Sequence, residues 1–503
     1  MSTFLNGLAN ATNFTRTENG ALTHKSTGTA LLDMFALGGA YRKREVADVI
    51  LLFKNAYDEN PEYALKCLFY LRDIRGGQGE RRFFRICIQW LANYDKDAVK
   101  RNLDKIAEYG RYDDLYCLFS TDLKADVLAY IKEILALDVQ SNTPSLLAKW
   151  LPSENASSKL TNAQANIIRK YLGMSHKQYR KTLSILRGRI RVLEKLMSAN
   201  RWDEIEFDKI PSKAGIKYKN AFARRDFTKA RYEAFAKSAD TKVNAKALYP
   251  YEVVAEALKL FRTGHYSTAR MPALDDTNRL MVNKYWDNLA DYFNGSTLNA
   301  LAVVDTSGSM VSSDASAPIN VAISLGLYCA EKAKGPFAGH YVSFASRPQL
   351  IKTEGVDFAD KVYRIYKTNL VDNTNIEATF DLLLNTAIQN RCSQADLPEN
   401  IIIISDMEFD EAQYGWSYRY ERHDNATLME NIERKWNLYG YKMPKLIFWN
   451  VQARQNNIPM TVKDGISFVS GMSPTIFKQI MSGKTAYDLM FEVLNQERYS
   501  AIK

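Results

Sequence analysis

The stretch LAVVDTSGSM, residues 301–310, sets an unbroken apolar run against a loop of oxygen-bearing side chains. A short apolar run that ends in a turn fits a strand buried on both faces, as in a parallel sheet. Downstream the hydrophobic period alternates. Strands are expected at Leu301 to Val304, Gly339 to Ala345, Ile401 to Ile404 and Lys445 to Trp449, with helices between them at Ile319 to Lys332, Ile376 to Asn390 and Leu428 to Trp436. GISFVSGMS, 465–473, adds a short strand before closing helices at Pro474 to Met481 and Ala486 to Gln496. The pattern implies a doubly wound, mainly parallel α/β domain, in which ligands sit beyond the carboxyl ends of the strands. Asp305 and Asp406 both fall at such ends.

In DTSGSM, Asp305, Ser307 and Ser309 alternate around Gly308, so one turned loop can aim three oxygens at a point. A hard divalent cation asks for such a set: Mg²⁺ first, with Mn²⁺ or Ca²⁺ as alternatives. Asp406, behind the run IIIIS, could add a second carboxylate directly or through water. The bland alternative is a hydrogen-bonded loop whose hydroxyls cap the next helix.

The chain ahead of this domain reads differently. From Arg44 to about Leu137, apolar residues recur at helical spacing in segments of 12 to 16 residues, separated by breaks such as Asn60-Pro61. Short helices that each bury one stripe must stack on their neighbours, which is the logic of a HEAT-like array; an ordinary irregular helical domain is the alternative. In RDIRGGQGERR, 72–82, three glycines lie between basic flanks. Arg72, Arg75, Arg81 and Arg82 could converge with backbone amides on an anion. The competing reading is a helix end followed by a helix start, with the arginines solvated or paired to Asp73 and Glu80. Arg111, in EYGRYDDLY, is expected to order its corner rather than to touch ligand.

Charge is concentrated between the two regions. The 503 residues carry a formal net charge of +10, but Thr161 to Lys237 alone holds 19 Lys and Arg against 7 Asp and Glu. An excess of that density suggests a polyanion partner, nucleic acid before a membrane surface. Along HKQYRKTLSILRGRIRVLEKLM, Tyr179, Leu183, Leu186, Ile190, Leu193 and Leu196 make one face. Lys177, Arg180, Lys181, Arg187, Arg191 and Lys195 lie on or beside the others. Lys217, Lys219, Arg224 and Arg225 follow, interleaved with Tyr218, Phe222, Phe227 and Tyr232. Cations neutralise phosphates and exposed rings stack on unpaired bases, so the block favours single-stranded or irregular RNA. Each aromatic is, individually, a candidate for the core.

Other classes are weakened. Five scattered cysteines suggest neither a disulfide framework nor a zinc site. No run of 18 apolar residues and no signal-peptide pattern occurs, so a soluble intracellular, cytoplasmic protein without membrane contact is expected. The five histidines, at 24, 176, 265, 340 and 423, offer no evident general base, and no catalytic residue is assigned.

The motifs DTSGSM, DNTNIEATF and ISDMEF resemble the metal-ion-dependent adhesion site of von Willebrand factor A (vWA) domains. The resemblance implies Asp305, Ser307 and Ser309 as first-loop ligands, Thr374 as the second-loop ligand and Asp406 as the third-loop carboxylate. It also implies an open coordination position that accepts a carboxylate from a protein partner. Met407 stands where that family usually has Gly. From about Thr27 to Val493, through RDIRGGQGERR, YGRYDDL, YRKTLSILRGRI and IPSKAG, the chain resembles the family of unknown function DUF2828, which occurs in large DNA viruses and phages as well as cells. The order of modules is also similar to TROVE/Ro-like proteins, a ring of HEAT-like helices closed by an A domain that binds structured or misfolded small RNAs. The expected organisation is an N-terminal arm, 1–26, a HEAT-like or TROVE-like helical domain in a ring or arc, 27–295, and a vWA-like, Rossmann-like domain, 296–503. The expected function is non-catalytic RNA binding with a divalent cation in the A domain. A protein-interaction or viral assembly module is the alternative, located in host cytoplasm or virion if the source is viral. A metal-dependent phosphohydrolase or nuclease is the least favoured.

Overall fold

The computed structural model describes residues 13–245, 247–261, 271–293, 299–312, 314, 316–344, 347–368, 375–411, 426–463, 465–480 and 484–503. The chain divides into two compact units that cut across sequence order. One comprises residues up to Cys67 together with Leu248–Gln496, and the other Leu68–Ala247 with Glu497–Lys503.

The first unit begins with a hairpin, β1 (Phe14–Arg16) and β2 (Leu22–His24), followed by α1 (Ala30–Leu37) and α2 (Val46–Glu59). Leu31, Leu32, Met34, Phe35 and Leu37 are buried in α1, which packs on α2 and on the last strand of the sheet. Helix α3 (Pro61–Arg72) starts in this unit and ends in the other.

The second unit is helical. It holds α4 (Arg81–Tyr94), α5 (Lys96–Arg101), α6 (Lys105–Tyr109), a 3-10 segment at Tyr112–Ser120, α7 (Lys124–Gln140) and α8 (Leu147–Trp150). It continues with α9 (Lys159–Tyr171), α10 (His176–Arg189), α11 (Leu193–Ser198), α12 (Ser212–Phe222) and α13 (Asp226–Lys237). The helices are short because breakers and caps recur: Asp95 accepts from Ala98 N–H to start α5, and Ser175 with Gln178 forms a capping box at α10. Elements close in sequence pack on one another, α4 on α5 and on the 3-10 segment, α7 on α8, and α12 on α13, while α8 also packs on α10 across α9. Phe69, Phe84 and Tyr109 form an edge-on aromatic core, and Tyr499 stacks on Tyr109 at 5.8 Å.

The rest of the first unit is built on a six-stranded mixed sheet. In chain order come α14 (Pro250–Phe261), α15 (Thr277–Asp287), β3 (Ala300–Asp305), α16 (Pro318–Lys332), β4 (His340–Phe344), β5 (Gln349–Lys352), α17 (Phe358–Thr368), α18 (Ile376–Gln389), β6 (Asn400–Ser405), α19 (Leu428–Leu438), β7 (Lys445–Asn450), β8 (Ile466–Ser470), α20 (Ile476–Ile480) and α21 (Ala486–Leu494). The strand order is β5-β4-β3-β6-β7-β8, parallel throughout except for the antiparallel edge strand β5. All six residues of β3 and of β6 are buried, which explains why both read as unbroken apolar runs. Helix α16 lies on β3 so closely that a Cβ at Gly326 would meet Val304 Cγ2 at 2.4 Å. This helix is covered by α14, which also packs on α15 and α17. Trp286 stacks on Phe358 at 4.0 Å and Arg279 pairs with Asp357 at 2.8 Å. The architecture is therefore a helical region plus a Rossmann-like α/β sheet. Among the described residues no helix is long and apolar enough to cross a membrane.

Candidate cation site and basic surface

Strands β3 and β6 are parallel neighbours, with Val304 opposite Ile404, so the loops leaving them meet. Asp305 and Asp406 are both buried at these ends. Asp305 shapes its own loop: its Oδ1 accepts from Ser307 N–H at 2.9 Å, and its Oδ2 accepts from the Ser405 hydroxyl at 2.5 Å. A 3-10 turn at Gly308–Met310 then brings the Ser307 and Ser309 hydroxyls within 3.0 Å of each other. Ser309 Oγ donates to Asp406 Oδ2 at 3.1 Å, so the four described members of the expected ligand set come together. Thr374 lies outside the described residues.

Met407 has φ +63°, in the left-handed region that glycine favours. Its N–H donates to Ser405 Oγ at 2.9 Å and its side chain is buried, and both offset the strain of a side chain there. The loop thus keeps a glycine-like turn without glycine.

The site is short of positive charge. Burial first, then the charge of Asp406, push the Asp305 carboxyl up; burial also raises Asp406, against the pull of the Arg454 guanidinium. Glu408, fully buried two residues on, is pushed up to about 7, chiefly by burial and against a hydrogen bond from Glu18 N–H. Two buried carboxylates with two hydroxyls form an all-oxygen set whose one nearby positive group is the Arg454 guanidinium on Asp406, a donor set of the kind a hard divalent ion such as Mg²⁺ takes. Among the described residues no group of three or more His, Cys, Asp or Glu side chains gathers as a metal site, so the fit rests on the mixed carboxylate and hydroxyl set.

Sequence reading missed the residues around this set. Arg454, in the loop after β7, places Nη2 3.3 Å from Asp406 Oδ2 and donates to Ser309 O, while Nη1 is 2.7 Å from Glu18 Oε2. Glu18 sits at the tip of the β1–β2 hairpin. That tip grips the third loop: Thr17 Oγ1 donates to Phe409 O at 2.6 Å, and Asn19 Nδ2 donates to Glu408 O at 2.7 Å. No local motif marks these residues, because the hairpin contacts join positions 389 to 436 apart and Arg454 reaches Ser309 from 145 residues away.

On the helical unit two of the four arginines expected at an anion, Arg72 and Arg75, are engaged by protein acceptors instead. Arg72 is buried and gives two hydrogen bonds to Asp114 Oδ2, at 2.9 and 2.6 Å. The glycine turn is filled by its own carboxylate: Asp73 accepts from Arg75 N–H at 2.9 Å and pairs with Arg498. A Cβ on Gly77 would lie 1.9 Å from Tyr70 O, so this glycine permits a close chain crossing rather than ligand approach. Arg75 donates to Glu108 O. Arg81 and Arg82 are exposed at the start of α4. Arg111 orders its corner, forked onto Asp113 at 2.8 and 2.6 Å and lying 4.0 Å from the Trp150 ring centroid.

In the basic block, α10 buries Tyr179, Leu183 and Leu186 and leaves Lys177, Arg180 and Lys181 exposed. Arg191, Lys195, Lys217, Arg224 and Arg225 are exposed as well, and Lys219 is half-buried. Among the described residues no ion pair reaches Lys177, Lys181, Arg191 or Arg224. Between Glu154 and Glu194 the chain has no Asp or Glu at all, but nine Lys and Arg. Arg187 is a correction: its guanidinium donates to Ala148 O at 2.9 Å, Leu151 O at 2.8 Å and Ser153 Oγ at 3.0 Å, which fixes the preceding loop. Lys195 donates to Ser184 Oγ at 2.6 Å, and Arg225 lies 3.8 Å from the Trp202 ring centroid. Phe222 and Tyr232 are core, Tyr218 donates to Glu194, and Phe227 is 64% exposed, with the Arg231 guanidinium 5.7 Å from its ring centroid. A groove of about 450 Å³ runs beside Tyr179, Leu183 and Val192, rimmed by Arg180, Ser184 and Lys195 and also by Glu154 and Glu194.

Comparison with known proteins adds the following. Residues 17–114 and 95–296 match the model of a family described as a domain of unknown function, DUF2828, and residues 299–500 match a second, DUF7788. An uncharacterized protein of Acanthamoeba polyphaga mimivirus is 29% identical over 516 residues, covering 94% of this chain and 85% of that protein. Among solved structures, the Ro protein (RSR) of Deinococcus radiodurans gives a TM-score of 0.41 at 13% identity, over 91% of this chain and 100% of that one; a likeness at that level bears on neither fold nor function.

Proposed function

The chain belongs to the DUF2828 family, and from its own side chains we propose a non-catalytic RNA-binding protein whose α/β unit, of vWA type, holds a divalent cation. The observation that supports RNA is the acid-free stretch between Glu154 and Glu194, with exposed Lys177, Arg180, Lys181 and Arg191 along it. Side chains without carboxylate partners are free to neutralise phosphates and release the cations condensed on the RNA, which is the main source of non-specific affinity. The exposed ring of Phe227 suits an unstacked base better than a regular duplex.

At the cation site, Asp305, Ser307, Ser309 and Asp406 would hold Mg²⁺ or a similar ion. When bound, that ion supplies a fixed positive charge able to accept one further oxygen ligand. Ser309 is half-buried at the rim while Asp305 is fully covered, so an incoming ligand meets the serine side. That placement favours a second reading for this unit, capture of a carboxylate from a protein partner.

RNA binding is tested with Lys177→Glu, Lys181→Glu and Arg224→Glu combined. All three side chains are exposed, so the fold is expected to hold. The triple variant should lose at least about tenfold in affinity for a single-stranded RNA, since each neutralised phosphate contributes to the equilibrium. Unchanged affinity would remove the RNA reading. For the cation, Asp305→Ala should abolish the rise in melting temperature that Mg²⁺ or Mn²⁺ gives the wild type, with the variant's own melt recorded beside it.

A further inference from the structure

Arg454 reaches three acceptors with its guanidinium, Asp406 Oδ2, Ser309 O and Glu18 Oε2. Its backbone is fixed: the preceding loop is anchored by Val451 N–H to Ser405 O at 3.0 Å and by Ala453 N–H to Ala40 O at 3.0 Å. Its side chain, 28% exposed, spans from buried Asp406 to Glu18 on the hairpin. The Asp406 oxygen it approaches, Oδ2, is the same one that accepts from Ser309 Oγ. A single carboxylate oxygen therefore serves both a proposed cation ligand and a resident positive charge.

We infer that Arg454 is a tethered cation that competes with the divalent ion for Asp406, and that Glu18 keeps hold of it when the ion binds. This rests on the cation reading above. A guanidinium and a divalent ion cannot both sit against one buried carboxylate without strong repulsion, because the surroundings screen charge poorly. Glu18 makes the exchange possible, since the arginine already contacts it and needs to give up only its Asp406 and Ser309 partners. Cation affinity is thereby tied to the β1–β2 hairpin, whose grip on the third loop positions Glu18.

The experiment is calorimetric titration of the full chain with Mn²⁺ and, separately, Mg²⁺, alongside Arg454→Gln, Arg454→Lys and Glu18→Gln, with a thermal melt of each. Arg454→Gln should bind Mn²⁺ at least about tenfold more tightly, because the competing charge is gone. Arg454→Lys should stay near wild type, and Glu18→Gln should bind more weakly, having lost the alternative partner. Equal or weaker binding by Arg454→Gln would overturn the inference and make the arginine a mere orienter of Asp406. A matching gain in Arg454→Lys would overturn it too, since loosening of the loop would then be the cause. If neither wild type nor Arg454→Gln binds either ion, the cation reading itself falls. If both bind and only the order of affinities is wrong, the cation reading survives and the competition does not.

Discussion

Asp114 shows what a single buried carboxylate can organise. It accepts from Arg72 twice, from Arg85 Nε at 2.7 Å and from Arg111 N–H at 2.9 Å, and it is fully buried. Replacing it with Asn leaves the buried Arg72 guanidinium uncompensated, at a cost of about 3–5 kcal/mol. Chemical denaturation of Asp114→Asn should show that loss, and a change below about 1 kcal/mol would mean that Arg72 finds another partner. The same residue explains a failure of sequence reading. RDIRGGQGERR has the composition of an anion site, but its strongest cation is turned inward by an acid 42 positions away. By contrast, DTSGSM could be read directly, because the spacing of Asp305, Ser307 and Ser309 is local and its strand context is visible in the same ten letters.

Glu430, in the first turn of α19, ties several elements together. It caps that helix with Thr427, accepting from Thr427 N–H at 2.9 Å, and also accepts from Thr461 N–H at 3.1 Å and the Thr461 hydroxyl at 2.5 Å; His24 of β2 lies 3.2 Å away. Burial works to raise its carboxyl, but these hydrogen bonds outweigh it and hold the group well below its ordinary 4.5. A depressed folded-state value means stability that is present above pH 4.5 and lost as the pH falls below it. Glu430→Gln should therefore unfold more easily at neutral pH, by about 1–3 kcal/mol, with the gap to wild type closing in acid. Denaturation midpoints at pH 7 and pH 3.5 would check the sign, and a gap that widens in acid would refute the assignment.

The strands and helices of the α/β unit were legible for a related reason. The buried runs of β3, β6 and β7 have no polar interruption, whereas the antiparallel edge strand β5 escaped, since QLIK is too short and too exposed to carry a period; helix α17 was missed although its buried Phe358, Ala359, Val362 and Ile365 recur at helical spacing.

At the scale of the molecule, composition located the basic block but not its chemistry. Apolar periodicity separates faces of a helix, yet Arg187 and Lys177 look alike in a charge count; only the loop at Ala148 to Ser153, brought alongside α10, distinguishes a structural arginine from an exposed lysine. Nor could periodicity reveal that residues up to Cys67 fold with the sheet, or that Glu497–Lys503 return to the helical unit, where Arg498 pairs with Asp73. Those groupings depend on contacts across hundreds of residues.

RNA binding by the exposed lysines and arginines of the basic block is the central claim, and the salt dependence of that binding tests it most directly. The logarithm of the affinity of the wild type for single-stranded RNA should fall linearly with the logarithm of salt concentration. The Lys177, Lys181 and Arg224 charge reversals should lower the steepness of that line by about 2, at roughly 0.7 for each lost phosphate contact. A flat line for the wild type, or an unchanged slope in the variant, would contradict the account.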